Sequence, residues 1–296
     1  MKILVTGGSG FLAKRVGDYL EAGPDMQILR PAHAELDITL PENCKRWFDK
    51  NRPDAVVQLA AISDIAECAA NEELSRNVNA RGPVNLAACF KETGGTGRFL
   101  YASSDQVYTG NSTPDRLNKE TDPLSPRNLY AAEKLEAEEG VSAILPEAVA
   151  LRFPWMFDLR PGKMNYVKLI AKSILNRQKM SFGINELRAE TYALEIAENI
   201  RKMLLSDVPG GAYNFGGPAY GNSYETAAEV FELVGEAMQL PADGLAVPVE
   251  YDSPRSLAMD QTKINSAGIT FRNTVESVKY CLEQEAAAIQ NGKIRA

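Results

Sequence analysis

Tyr130 and Lys134 stand four apart in Tyr130-Ala131-Ala132-Glu133-Lys134. On a helix, residues at that spacing share a face, one turn from each other. The chemistry on offer is proton transfer. An ammonium beside a phenol favours the phenolate and pulls its pKa down from about 10. Solvated helix faces carry the same spacing without function, so the pair needs a partner hydroxyl, a cofactor and a substrate pocket. Ser103-Ser104-Asp105 offers hydroxyls at the end of a β-rich run, Arg98 to Ala102. Open α/β sheets bind ligands at that end of a strand, although a plain strand-end turn reads the same way. Competing chemistry is thin. His33 is the only histidine, which excludes a Ser-His-Asp or Cys-His triad within the chain and leaves no expected metal site.

The elements that must position these groups alternate. Lys2–Val5 is a short β-rich run, and Thr6-Gly7-Gly8-Ser9-Gly10-Phe11-Leu12-Ala13 follows it. Apolar residues at Phe11, Leu12, Val16, Tyr19 and Leu20 then fit an amphipathic helix. A glycine loop between a strand and a helix suits a dinucleotide. Its backbone can approach the pyrophosphate, and the helix N-terminus favours negative charge. The spacing Gly7…Gly10…Ala13 is Gly-x-x-Gly-x-x-Ala. A second strand, Met26–Leu29, ends at Arg30, about where NAD-binding chains hold an acid for the adenosine ribose. An arginine there suits the extra phosphate of NADP, and a surface arginine at a strand end would look alike. Glu35 and Asp37 follow and work partly against that preference.

Further along, a helix over 42–51 leads into a third β run, Asp54–Ala61, closed by the small Ala60 and Ala61. Asn71–Phe90 reads as one long helix with Leu74, Val78, Val84, Leu86 and Phe90 on its apolar side. Asn77 and Asn79 sit inside it, where asparagine needs a bonding partner to be worth its place. A loop from Gly110 to Pro126 precedes Asn128, the expected N-cap of the Tyr130 helix. Glu147–Phe153 is the next β run. Repeated strand and helix predict a doubly wound parallel sheet, a Rossmann-type α/β fold. After Trp155 the pattern changes. Helices are expected over 165–179, 190–205, 223–238, 260–267 and 274–288, with short strands at 212–217 and 247–251. The expected organisation is a dinucleotide domain over 1–158, to which 190–217 returns, and a smaller substrate lid over 159–296.

The chain has 296 residues and a net charge of −7, which argues against nucleic-acid or anionic-membrane partners. Its N-terminal apolar run is too short for a signal peptide and no run is long enough to span a membrane. Cys44, Cys68, Cys89 and Cys281 form no Cys-x-x-Cys pair. A reducing cytoplasm is the expected setting.

Taken in order, these motifs resemble the extended short-chain dehydrogenase/reductase superfamily over nearly the whole chain, and within it the dTDP-4-dehydrorhamnose reductase branch. Thr6-Gly7-x-x-Gly10-x-x-Ala13 matches the cofactor loop and Leu36-Asp37-Ile38-Thr39 the adenine-contacting segment. Leu59-Ala60-Ala61 matches the run after the family's fourth strand, and Asn79-Ala80-Arg81-Gly82 its Asn-x-x-Gly helix. Ser103-Ser104-Asp105-Gln106-Val107-Tyr108 aligns with Ser-Ser/Thr-x-x-Val-Tyr/Phe, and Tyr130-x-x-x-Lys134 with the catalytic pair. Leu151-Arg152-Phe153-Pro154-Trp155 and Pro254-Arg255-Ser256-Leu257-Ala258-Met259-Asp260 resemble later motifs of the branch.

The resemblance implies an NADP-dependent reductase of a nucleotide-diphospho-4-keto sugar, with NAD as the other candidate cofactor. A nucleotide-sugar epimerase or dehydratase, or a non-catalytic regulatory subunit, are the alternatives, and a homodimer is left open. Tyr130 would protonate a carbonyl, Ser104 would hold the oxygen, and Lys134 would tune Tyr130 and bond the nicotinamide ribose. Cofactor contacts would come from Gly7, Ser9, Gly10, Phe11, Leu12, Arg30, Asp37, Ile38, Leu59, Ala60, Ala61 and Asn79. The substrate side would use Ser63, Ser104, Asp105, Gln106, Trp155 and Arg188, with a core tryptophan as the other reading of Trp155. Departures gather on that side. Gln106 replaces a common tyrosine, Ala66 a common aspartate, and Asn185-Glu186-Leu187-Arg188-Ala189-Glu190-Thr191 keeps only the threonine of Asp-Gln-x-Gly-x-Pro-Thr.

Overall fold

The structure, a computed structural model, describes residues 1–110, 113 and 116–285. The chain divides into two compact units. The first holds Met1–Gly110, Pro123–Phe153 and Ala197–Asn214, and the second Asn111–Asp122, Pro154–Ile196 and the chain from Phe215 on.

The first unit runs β1 (Lys2–Val5), α1 (Phe11–Glu21), β2 (Gln27–Leu29), α2 (Pro41–Asn51) and β3 (Ala55–Gln58). Then come α3 (Ile65–Ala70), α4 (Glu72–Arg76), α5 (Gly82–Glu92), β4 (Phe99–Ser104), α6 (Leu129–Ile144) and β5 (Val149–Phe153). Its six-stranded parallel sheet has the order β10-β5-β4-β3-β1-β2, with β10 at Gly211–Asn214. Every residue of β3, β4 and β5 is buried. That is the signature of a parallel sheet covered on both faces and explains why these runs read as continuous apolar stretches. Phe48, Phe90, Leu86 and Val141 pack with Leu4, Val56 and Tyr101 in its core. β1 lies between β2 and β3, so the strand order turns back there. The crevice beyond such a switch point is where open α/β sheets take ligands.

The second unit holds β6 (Trp155–Phe157), α7 (Tyr166–Asn176), β7 (Met180–Gly183), β8 (Glu186–Leu187) and β9 (Glu190–Tyr192). After α8 (Ala193–Leu204), which ends in the first unit, come α9 (Ser223–Met238), β11 (Ala246–Val249), β12 (Arg255–Ser256), α10 (Thr262–Ser266) and α11 (Thr274–Gln284). It has three two-stranded parallel pairs, β6 with β9, β7 with β11 and β8 with β12, and a core that includes Phe157, Ile170, Tyr192, Phe231 and Val278. Asn222 and Asn273 each close a capping box on α9 and α11.

Two helix expectations are corrected. The helix expected over Asn71–Phe90 is α4 and α5 joined by a π-helical turn, Asn77–Arg81, and Leu74 is exposed. The helix expected from Glu190 begins only at Ala193, because Glu190–Tyr192 pairs as a strand with β6. The third β run expected over Asp54–Ala61 is β3, and it ends at Gln58, before Leu59-Ala60-Ala61.

Candidate active site

At the switch point, Gly7 adopts φ +72, and a Cβ placed on it would meet Ala60 Cα at 2.9 Å. Only glycine fits a left-handed position with a backbone that close. Thr6 Oγ1 accepts the N–H of Leu59 at 3.1 Å and of Ala60 at 3.2 Å, tying the ends of β1 and β3 together. Gly10 donates its N–H to Gly7 O at 2.7 Å and begins α1. No side chain caps α1 and its first turn holds no acid. Its free N–H groups and positive dipole end are therefore open to an anion. Ser9 and Gly10 are exposed, Phe11 is half-buried, and Leu12 and Ala13 are buried, anchoring the loop. These residues fit a dinucleotide pyrophosphate.

Arg30 ends β2, but its guanidinium is engaged. It donates to Asp18 at 2.6 Å and to Glu21, both on α1. A phosphate at Arg30 would have to share or displace these acids. Asp37 is drawn into its own turn and Ile38 is buried against Gly82, its carbonyl accepting from Asn85 at 2.9 Å.

Asn79 gains from the π-helical turn that carries it. Such turns insert one residue into the helical ladder and often mark functional sites. Its Oδ1 accepts the Ile62 N–H at 2.9 Å. Its Nδ2 donates to Ile62 O at 2.9 Å, Ser75 Oγ at 3.2 Å and Glu133 Oε2 at 2.8 Å. Asn79 thus clamps the segment that leaves β3 to α6. Ala61 and Ser63, on either side of Ile62, are exposed.

Ser104 closes β4, caps the 3-10 turn Asp105–Tyr108, and accepts the Gln106 N–H at 3.3 Å. Its hydroxyl donates to Asp105 Oδ1 at 3.2 Å, and Gln106 Nε2 donates to the same oxygen at 3.2 Å. Asn128 caps α6 through the Ala131 N–H, as its sequence position predicts. Tyr130 and Lys134 lie on that helix, with Lys134 Nζ 5.6 Å from the centre of the Tyr130 ring. Lys134 is fully buried and its Nζ has no hydrogen-bond partner among the described residues. A buried ammonium without a partner is costly in isolation and suits a ligand's hydroxyls.

The expected fall of the Tyr130 pKa is corrected. Loss of hydration raises it above the ordinary phenol value. The Ser104 hydroxyl pulls it back, while Asp105, Cys68 and Glu133 push it up. Burial is the largest cause, and it outweighs the hydrogen bond from Ser104. Lys134 itself is lowered by burial to about 8, with Glu133, Cys68 and Glu138 opposing the fall.

In the second unit, Trp155 is 53% exposed, which corrects its reading as a core tryptophan. The Arg188 guanidinium stacks on its ring at 3.7 Å, from the turn between β8 and β9. Arg188 Nε is buried without a hydrogen-bond partner among the described residues.

Sequence reasoning missed the polar interior of α6. Glu133, Lys134 and Glu138 all lie on its buried stripe beside Ala131, Ala137 and Val141. Glu138 pairs with Arg152 of β5, which also bonds Tyr108. The only local signal was partial: the stripe through Ala131, Ala137 and Val141 also takes in Glu133 and Glu138, but four glutamates on one helix do not say which are buried. A recess of about 490 Å³, lined by Thr39, Asn77, Arg81, Asn85, Glu136 and Gly140 among others, contains none of the expected site residues.

Comparison with known proteins adds the lineage. The model of the family described as RmlD substrate binding domain matches residues 1–287. A dTDP-4-dehydrorhamnose reductase of Burkholderia thailandensis is 30% identical over 219 residues, covering 73% of this chain and 71% of that protein. The Mycobacterium tuberculosis reductase of the same name is 26% identical over 278 residues, covering 91% of this chain and 88% of its own. A crystal structure of the Bacillus anthracis dTDP-4-dehydrorhamnose reductase in complex with NADP superposes with a TM-score of 0.83 at 19% identity, covering 96% of this chain and 98% of that one.

Proposed function

The chain belongs to the RmlD substrate binding domain family, and from that premise we propose that it is an NADPH-dependent reductase of a nucleotide-diphospho-4-keto sugar, of the dTDP-4-dehydrorhamnose type. The observation that carries the reading is the meeting of three groups at one end of the sheet. They are the Ser104 hydroxyl at the end of β4, the Tyr130 phenol on α6, and the buried, unpartnered Lys134 ammonium 5.6 Å from the centre of the Tyr130 ring. The comparisons favour reduction, since the relatives above carry that name.

Gly7, Ser9, Gly10, Phe11, Leu12, Leu59, Ala60 and Ala61 would hold the dinucleotide at the switch point, with Arg30 toward an adenosine phosphate and Asp37 and Ile38 toward the adenine. When bound, the reduced nicotinamide supplies a hydride to the sugar carbonyl carbon. Tyr130 gives its proton to the carbonyl oxygen. As a phenol it is protonated at neutral pH, as a donor must be. Ser104 donates a hydrogen bond to that oxygen as negative charge develops. Lys134 stabilises the phenolate left behind and offers hydrogen bonds to ribose hydroxyls. Asn79 fixes the backbone at Ile62 beside the site. Ser63, Asp105, Gln106, Trp155 and Arg188 would contact the nucleotide sugar. The buried thiols Cys44, Cys68, Cys89 and Cys281 suit a reducing cytoplasm.

The test is NADPH absorbance with dTDP-4-dehydrorhamnose and a panel of nucleotide 4-keto sugars, against 4-hydroxy sugars as control. Stoichiometric oxidation by a keto sugar alone is expected. Isomerised or dehydrated sugar with no net oxidation would move the chain to the epimerase and dehydratase side. No turnover with any sugar would sink the reading.

A further inference from the structure

Glu133 lies between the two residues assigned to catalysis, one position before Lys134 and three after Tyr130. A glutamate on a helix normally faces water, yet this one is 1% exposed. Its Oε2 accepts from Ser75 Oγ at 2.6 Å and from Asn79 Nδ2 at 2.8 Å. Its Oε1 is buried with no hydrogen-bond partner among the described residues, and the same is true of Lys134 Nζ. Two neutral donors on one oxygen do not offset the burial of a full charge. Two adjacent buried groups of opposite charge, each incompletely bonded, compensate one another through space in a medium that screens little.

We infer that Glu133 is a positioning residue of the Tyr130–Lys134 pair. Its carboxylate is the fixed countercharge of the Lys134 ammonium and the post to which Ser75 and Asn79 are tied. The three hydrogen-bonded side chains come from α4, the π-helical turn and α6. One carboxylate therefore sets both the charge of Lys134 and the seat of Asn79, which in turn bonds both the N–H and the carbonyl of Ile62.

The other groups facing this pair do not replace it. Cys68 comes from α3 and is a neutral thiol whose pKa burial raises. Asp105, from the 3-10 turn, acts on Tyr130. Glu138 also supports Lys134 from α6, but its carboxylate is bonded by Arg152 of β5 at 2.6 and 2.9 Å. On β4, Tyr101 is raised far above its usual value by burial and stays neutral. Arg76 of α4 pairs outward with Glu136 at 2.8 Å, and Arg81 of the π-helical turn bonds Asn77 at 2.7 Å. Among the causes acting on Lys134, Glu133 is the largest that keeps it charged.

The sign follows. Lys134 carries its proton below its pKa, which burial holds near 8. Removing the Glu133 charge lowers that value further, so the ammonium is lost at a lower pH. Glu133→Gln keeps an oxygen for Ser75 and Asn79 while removing the charge. Glu133→Asp keeps the charge.

Two measurements decide the matter, and only the first rests on the reductase reading. In the pH profile of kcat with NADPH and dTDP-4-dehydrorhamnose, the alkaline limb of Glu133→Gln is expected about a unit or more below wild type. That of Glu133→Asp is expected to stay in place. A Glu133→Gln limb that coincides with wild type, whatever the loss of rate, would overturn the inference and leave Glu133 a structural bond. The second measurement is a double-mutant cycle of melting midpoints with Lys134→Met, which needs no activity. Glu133→Gln is expected to lower the midpoint of wild type by several degrees and to leave unchanged or raise that of Lys134→Met. Equal losses in both backgrounds overturn it. Should Glu133→Gln alone fail to fold, folding regained in Glu133→Gln/Lys134→Met supports the countercharge, and failure in both refutes it. A wild type without turnover sinks the reductase reading, while the cycle still decides the role of Glu133.

Discussion

Helix α6 carries two buried carboxylates five residues apart, and their surroundings are opposite. Glu138 is closed in. Arg152 bonds both its oxygens, at 2.9 and 2.6 Å, and Ser103 donates to one of them at 2.5 Å. The remaining Arg152 nitrogen donates to Tyr108 OH at 2.7 Å, which donates on to Asn214 at 2.8 Å. That chain joins α6, β4, β5 and β10 and ends on protein. The Glu133 cluster stays open: one carboxylate oxygen and the neighbouring Lys134 ammonium lack hydrogen bonds among the described residues. A polar network that satisfies itself fixes a structure. One that leaves donors over is arranged for something else to bind. Neighbouring residues divide in the same way, since Ser103 is bonded into the Glu138 cluster while Ser104 bonds Asp105 and the Gln106 N–H in the next turn.

The sharpest way to break this contrast is chemical. Tyr130→Phe removes the proposed proton donor of the open side and leaves the closed side untouched. Turnover should fall about 10²–10⁴-fold, while NADPH affinity, read by fluorescence titration, stays within a few-fold. Full residual activity would mean that the open cluster is only a packing fault.

The closed side should respond in stability instead. Arg152→Met leaves the Glu138 charge buried without its cation, a loss of about 3–5 kcal/mol in unfolding free energy by urea titration. Adding Glu138→Leu should recover most of it, because the charge that was stranded is gone. If the single variant melts like wild type, the network is decoration.

Much of this architecture can be read from residue order. The glycine loop, the Ser103-Ser104 strand end and the Tyr130 helix with its Asn128 cap each announce themselves through local chemistry, because turn geometry and capping depend on a few adjacent residues. The interior of α6 does not. Which of Glu133, Glu136, Glu138 and Glu139 is buried depends on how the helix meets β4, α3 and α4 across dozens of residues of sequence. The π-helical turn is also invisible locally, since the extra residue in the ladder is stabilised by Asn79 reaching Ile62, 17 residues away. The same holds for Arg30. Its position names a phosphate contact, whereas only the fold reveals Asp18 and Glu21 on the helix it returns to.

Arg30 carries the contrast to the surface. Its guanidinium is closed on acids, as that of Arg152 is on Glu138, but Asp18 and Glu21 face water. Exposed pairs contribute about 0–1 kcal/mol, so exchanging them for a phosphate is cheap. If Arg30 contacts the adenosine phosphate, Arg30→Ala should weaken NADPH about 10- to 100-fold with NADH nearly unchanged, and Asp18→Asn should tighten NADPH. Equal losses for both dinucleotides would leave Arg30 a strand-end residue held by α1.

Arg188 gives the smallest and most specific test, because it is the open type of group in the other unit. Its cation rests on the exposed face of Trp155 at 3.7 Å and meets no carboxylate among the described residues. A stacked guanidinium keeps its charge and its planar donors while losing mobility, which suits a diphosphate. The stacking itself is worth about 0.5–2 kcal/mol. If Arg188 binds the diphosphate, Arg188→Ala should raise the KM of the nucleotide sugar about 2- to 30-fold and leave kcat within a factor of two, as loss of uniform binding does. Arg188→Lys should not restore the wild-type KM, because an ammonium keeps the charge without the planar fork. Trp155→Phe should raise KM less than Trp155→Ala, because it preserves an aromatic face under the guanidinium. A kcat loss with unchanged KM would place Arg188 among the groups that act on the transition state. The line between open groups that bind and open groups that react would then have to be redrawn.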